Sequence, residues 1–185
     1  VLLEKGRILF KIDEINKALK FYKETIKIYP EQRTIAAEAA FLQNEVYQTL
    51  GDNRKVINSF IQVVRDFYDV EYWTDKATRE IFALHEDQPT LEKKASQLRN
   101  LSIQYEKLPR LAGAIQNRVG ELYRQANENL LAKEAYQDTV DRFPNSIKNK
   151  NAALFALANI YADEENFEQS LRVYEQIADD SKDLK

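Results

Sequence analysis

Ala132-Lys133-Glu134-Ala135-Tyr136-Gln137-Asp138-Thr139-Val140-Asp141-Arg142-Phe143-Pro144 reads as one helix with a hard stop. Ala132, Tyr136, Thr139 and Phe143 follow one another at steps of 4, 3 and 4, which is one face of a helix, and Pro144 cannot continue it. The same phrase occurs near the start of the chain, as Ala18, Tyr22, Thr25, Tyr29 and Pro30. A helix this short cannot bury its apolar face alone, so its recurrence predicts an array of packed copies.

The recurrence has one period. Tyr47, His85, Tyr123 and Tyr161 stand 38 apart, and Leu9 precedes Tyr47 by the same step. A second column runs Tyr22, Phe60, Leu98, Tyr136, Tyr174, and a third Tyr29, Phe67, Tyr105, Phe143, Ser181. The 185 residues are therefore expected to be repeat throughout, one domain over 1–185, with no linker. Val1-Leu2-Leu3 already reads as helix, the chain has no methionine, and no polar capping helix follows Asp179-Asp180-Ser181-Lys182; a piece of a longer array is expected.

Composition agrees with an all-α chain: 44% hydrophobic, 31% charged, and only four glycines and four prolines as turn punctuation. The 27 basic residues nearly balance the 30 acidic ones, leaving a net charge of −3, so nothing points to a nucleic-acid surface. The balance is uneven along the chain. Residues 1–30 hold seven basic and four acidic side chains, and residues 163–185 hold eight acidic and three basic, a polarity suited to end-to-end stacking or to a polarised partner. Without cysteine there is no disulfide, thiolate metal site or cysteine nucleophile, and no apolar run is long enough to span a bilayer.

The predicted helices cover 1–11, 14–29, 34–50, about 52–67, 90–108, 110–125, 130–143, 146–162 and 167–178. Gly51 suits a left-handed C-cap, and Asp52 or Asn53 an N-cap. The middle unit is irregular: His85 replaces the column tyrosine, Pro89 falls where the turn glycine would be, and Lys94 sits in the small-residue column. Its second helix is expected to be longer, running to Leu108, with Pro109 opening the next helix.

These columns resemble the tetratricopeptide repeat. Gly6, Ala18, Tyr22 and Pro30 match its pattern, then Tyr47, Gly51, Asp52 and Phe60, then Gly120, Tyr123, Ala132, Tyr136 and Pro144, and finally Leu157, Ala158, Tyr161 and Tyr174. The resemblance implies a right-handed α-solenoid of about five helix-turn-helix repeats and about ten helices, working as a non-catalytic scaffold that holds a peptide or partner protein in a concave groove. The period exceeds the common 34 by about one helical turn, expected before the first helices, at Gln32–Ile35 and Asn145–Lys148. Long units of this style resemble bacterial cell-envelope repeat proteins, the lipoproteins of outer-membrane assembly and the TolA-binding coordinators. That implies a periplasmic or outer-membrane-associated location. A cytoplasmic adaptor, a self-associating array and a recruiting domain of a larger enzyme are the alternatives.

Carried over from the family, the groove positions are Leu3, Arg7, Phe10 and Lys11; Glu38, Phe41, Glu45 and Gln48; Lys76, Arg79, Ala83 and Glu86; Ala114, Asn117, Glu121 and Arg124; and Ala152, Phe155, Asn159 and Ala162. Aromatic and arginine residues are the usual anchors of an interface, which favours Phe10, Phe41, Phe155, Arg7, Arg79 and Arg124; the other reading of Phe41 and Phe155 is core. The family's clamp for a peptide carboxylate is not assembled, since Phe155 stands where its lysine belongs. Tyr72 and Trp73, in the most aromatic inter-repeat turn, are either an exposed patch or a plug beside the irregular unit. His85 is the only histidine; without a second His or Cys it suits a packed column position better than a metal ligand or a base, and no cofactor or metal site is expected.

Overall fold

The computed structural model describes residues 1–85 and 88–182, the side chains of 180–182 excepted. Ten helices and no strand occur among the described residues: α1 (Leu2–Lys11), α2 (Ile15–Ile28), α3 (Arg33–Thr49), α4 (Asn53–Asp66), α5 (Glu71–His85), α6 (Leu91–Gln104), α7 (Pro109–Gln125), α8 (Asn129–Arg142), α9 (Ile147–Asp163) and α10 (Phe167–Lys182). The architecture is all-α and built from helix-turn-helix repeats. Contacts gather into two compact units, 1–84 and 85–185. In the first, α1 packs on α2, α2 on α3 and α3 on α4; in the second the sequence α6, α7, α8, α9, α10 packs each helix on the next. The first helices of adjacent repeats, called A helices below, also touch directly, α1 with α3 and α7 with α9.

One backbone device closes the A helix onto its B helix. Asp13, Gly51, Asn127 and Glu165 have φ of 63°, 69°, 61° and 59°, and these positions lie on the 38-residue period, at steps of 38, 76 and 38. At each, the following N–H bonds back to the last helical turn: Glu14 to Leu9 O at 2.9 Å, Asp52 to Tyr47 O at 2.9 Å, Glu128 to Tyr123 O at 2.9 Å and Asn166 to Tyr161 O at 2.8 Å. This is the left-handed C-cap with its six-to-one bond. Only Gly51 takes that conformation freely. The missing member of the column is Pro89, whose ring fixes φ near −65° and forbids this cap. Pro89 therefore cannot repeat this cap, and the boundary between the units falls a few residues before it in the sequence.

The B helices end in a second periodic turn. Gln32 N–H donates to Tyr29 O, Val70 to Phe67 O, Leu108 to Tyr105 O and Ser146 to Phe143 O, at 3.1, 2.9, 2.7 and 2.9 Å. Pro30 and Pro144 occupy the position after the first residue, where proline is preferred. The turn at Tyr105 corrects the expected long helix of the third unit: α6 stops at Gln104, in phase with α2, α4 and α8. Pro109 does open α7, as the first-turn position allows. The extra turn of the long period is also placed: Arg33–Ile35 and Ile147–Lys148 are the first turn of α3 and α9, so it lengthens the A helices to 17 residues rather than preceding them.

Small A-helix residues receive large B-helix ones. Tyr22 lies over Gly6 and Tyr136 over Gly120, and both tyrosines are buried. Ala18, Val56 and Ala132 are buried in the next column; at its irregular member, Lys94, the adjacent Ala95 takes the buried place.

Candidate protein-interaction surface

In the first unit, Arg7 of α1 forms ion pairs with Glu38 of α3 and, at 2.6 Å, with Glu4, so two adjacent A helices are tied across their shared surface. Phe10 is partly buried against the core of Leu3, Ala18, Tyr22, Ala39 and Val46, while Lys11 is exposed at the helix end. Glu45 is half-buried, Gln48 and Arg79 are exposed. Phe41 is core: its ring stands 5.3 Å from Phe60 and 5.1 Å from Trp73, and Lys76 Nζ lies 4.7 Å above it. Trp73 is buried with it, which makes it a plug, and Tyr72 packs edge-on at 5.0 Å while remaining exposed. The two aromatics singled out together thus part ways: the tryptophan fills the unit and the tyrosine faces solvent.

In the second unit, Asn117 is buried, its amide donating to Asn149 O at 2.8 Å; Asn149 in turn donates to Arg110 O at 2.7 Å. This seam joins α7 to α9 and leaves Asn117 Oδ1 without a protein partner. Glu121 is exposed and pairs with Arg118 at 2.9 Å; Arg124 pairs with Asp163 at 3.1 Å. Asn159 is exposed and its Oδ1 accepts from the Tyr174 hydroxyl at 2.8 Å. Phe155 is exposed, its ring edge-on to Tyr174 at 5.6 Å. His85 is half-buried; Glu86 and Asp87 lie outside the described residues.

Two positions of the A helix therefore behave differently. Leu3, Phe41, Arg79, Asn117 and Phe155 share one column; Leu3, Phe41 and Asn117 are buried, so Phe41 serves packing rather than an open groove, while Arg79 and Phe155 are exposed. Arg7, Glu45, Ala83, Glu121 and Asn159 share the column four residues on, and all keep solvent access. Sequence reasoning missed what lies under this stripe. Burial first, and then nearby Glu45 for Tyr22 and Glu121 for Tyr136, raise the two hydroxyls to about 12, against the opposing effect of Arg7 on the first and of Arg124 and Arg118 on the second. In the fifth member of the tyrosine column, the exposed Tyr174, the hydroxyl bonds the stripe residue Asn159. The shared 38-residue step between the two columns could have revealed this.

No group of three or more His, Cys, Asp or Glu suited to a metal occurs among the described residues, and none of their helices is long and apolar enough to cross a membrane. No curated protein matches the chain significantly in sequence. Among solved structures, it is similar to two of MamA, at 15% identity in both: one with TM-score 0.45, covering 96% of this chain and 95% of that one, the other 0.44, covering 98% and 90%. A Podosopora anserina protein with nearly identical TPR-like repeats superposes with TM-score 0.42 at 15% identity over 100% of this chain and 95% of its own. Residues 1–31 match the tetratricopeptide repeat model and residues 90–185 the soluble NSF attachment protein model. Since the second model spans more than half of the 185 residues, the chain belongs to the soluble NSF attachment protein family and, with its first helices, to the TPR-like helical-repeat proteins.

Proposed function

We propose that this chain is a non-catalytic scaffold that holds an extended segment of a partner protein along the A-helix stripe of each unit. The observation that carries the reading is the solvent-accessible column, with Arg7 and Glu45 in one unit on α1 and α3, which touch directly, and Glu121 and Asn159 in the other on α7 and α9, which also touch directly. A surface built from packed helices loses little freedom on binding, so few contacts are spent on ordering the receptor. Its mixed charges select by pattern: a partner with the wrong sign at one position meets a like charge. The test is selection of displayed peptides on the immobilised chain, repeated with Arg7→Glu and Glu45→Arg together and with Glu121→Arg. Loss of the selected peptides on the variants supports the stripe; unchanged binding overturns it.

The long repeat period makes the cell envelope the location to test first, by fractionating cells that express the full gene product. A second reading is an adaptor, favoured by the match of residues 90–185 to a family whose name describes attachment to another protein. Recovery of the full product with a soluble multiprotein complex, and not with envelope fractions, would select it.

A further inference from the structure

The outer face of the B helices changes sign between the two units. The column that begins at Lys20 and the one that begins at Lys27 recur at the 38-residue period, and both are exposed on all five B helices. Their exposure is thus a property of the repeat: α8 packs against both α7 and α9, and its Glu134 and Asp141 are exposed just as Lys20 and Lys27 are on α2. At both positions a lysine of the first unit corresponds to a carboxylate of the second. Between them the exposed Lys23 corresponds to the neutral Gln137. Neighbouring groups leave these charges available. Lys20 meets Glu24 only at 3.9 Å with 73% of its side chain exposed, Asp138 is taken by Arg142 at 2.9 Å, and among the described residues no ion pair engages Lys27 or Glu134. Asp141 accepts the Gln137 amide at 2.9 Å and is otherwise open to solvent.

We propose that the outer face of α2 docks on the outer face of α8 of a second copy of this chain. Spacing supports the pairing as well as sign. Lys20 and Lys27 lie two helical turns apart, as do Glu134 and Asp141, so each pair spans about 10 Å on one face and two ion pairs form in one contact. With the helices antiparallel, Lys20 meets Asp141 and Lys27 meets Glu134, and the exposed Ile28 comes within one turn of the exposed Leu130. With the helices parallel, those two apolar side chains stand at opposite ends of the contact. Leu157 and Tyr161 of α9 line, with the α8 stripe, an open groove of about 560 Å³ that has room for lysine side chains and for Ile28. The partner is a copy of the chain because the two faces complement each other, whereas a partner of one charge would fit only one of them. The contact joins different surfaces of the two copies and uses neither unit's A-helix stripe, so it stands apart from peptide binding there.

The test is sedimentation equilibrium of the chain across a concentration series at low and high salt, with two double variants, Lys20→Glu with Lys27→Glu and Glu134→Lys with Asp141→Lys, their helix content checked by circular dichroism. The expected result is mass that rises with concentration and falls with salt, and association at least about tenfold weaker in either double variant alone, where like charges meet. Mixed one to one, the two double variants should associate again, because the reversed α2 of one meets the reversed α8 of the other and their unaltered faces meet as well. A native chain that stays monomeric at millimolar concentration in low salt overturns the proposal. So does unchanged association in either double variant, or a mixture no more associated than its components.

Discussion

The ring of Tyr136 rests on the bare backbone of Gly120: a β-carbon at Gly120 would stand 2.6 Å from Tyr136 Cε1 and 2.7 Å from its Cζ. Tyr22 and Gly6 repeat the relation, with 2.5 Å from the added carbon to Tyr22 Cε1. The absence of a side chain on the A helix is what lets the B-helix tyrosine lie flat against it and reach the stripe beyond. Gly120→Ala should therefore lower stability by about 1–3 kcal/mol, the usual cost of overpacking a core. Because ring and methyl compete for one space, combining it with Tyr136→Leu should cost less than the sum of the two single changes. Denaturant unfolding of the four proteins checks both statements.

Gln116 gives a prediction of the opposite sign. It is buried, its amide reaches Ala135 O at only 3.4 Å, and its Oε1 has no protein partner. The same column holds Ala40 and Leu154, both buried and apolar. Gln116→Leu should raise stability by about 1 kcal/mol, since an unsatisfied buried acceptor is costly and leucine already fits the fifth repeat. Thermal unfolding monitored by circular dichroism measures it.

Trp73 is the only tryptophan and it is packed between Phe41 and Tyr72. Its emission should be that of a buried indole and should shift to the red when the first unit unfolds. Phe41→Ala should cost about 3–5 kcal/mol, as truncating a buried aromatic does, and should redden the emission of the folded protein. Unchanged emission in Phe41→Ala would place Trp73 elsewhere than against that ring.

The buried tyrosines set the alkaline limit. Burial, then nearby carboxylates, raise Tyr22 and Tyr136 to about 12, above the ordinary 10.0 that they regain on unfolding. A raised folded value favours the native state fully while pH lies below the unfolded value, and that contribution is lost as pH climbs through the folded one. Stability is therefore expected to hold to about pH 10 and to fall between 10 and 12. Tyrosinate absorbance should show Tyr22 and Tyr136 ionising above pH 10 in the folded protein, together with loss of helix, and near 10 in denaturant.

The period of 38, the all-helical class and the tyrosine columns are legible in the sequence because each repeat must present the same residue types to the next. The closing turns are legible only in part. Gly51 announces a left-handed cap, but Asp13, Asn127 and Glu165 adopt the same backbone, and an aspartate, an asparagine and a glutamate in a polar turn carry no comparable signal. The third repeat misleads because Pro89 and Pro109 suggest a shifted second helix, while the i-to-i+3 bond at Tyr105 keeps it in phase. Within the site, Arg7, Glu45, Glu121 and Asn159 fall on an accessible column, whereas in the column one turn before it Phe41 and Asn117 are buried and Arg79 and Phe155 exposed. The two columns are one helical turn apart, and composition does not separate them; only the packing of adjacent A helices does.

The central claim is that partner binding resides on the accessible A-helix column. The most direct measurement is the affinity of a selected peptide for the native chain, for Glu121→Arg and Arg7→Glu, and for Lys23→Glu and Gln137→Glu on exposed B-helix positions. The account predicts at least about a tenfold loss, some 1.4 kcal/mol, for one or both A-helix variants and unchanged affinity for the B-helix pair. Equal affinity across the A-helix variants, or a loss confined to Lys23→Glu and Gln137→Glu, would contradict it.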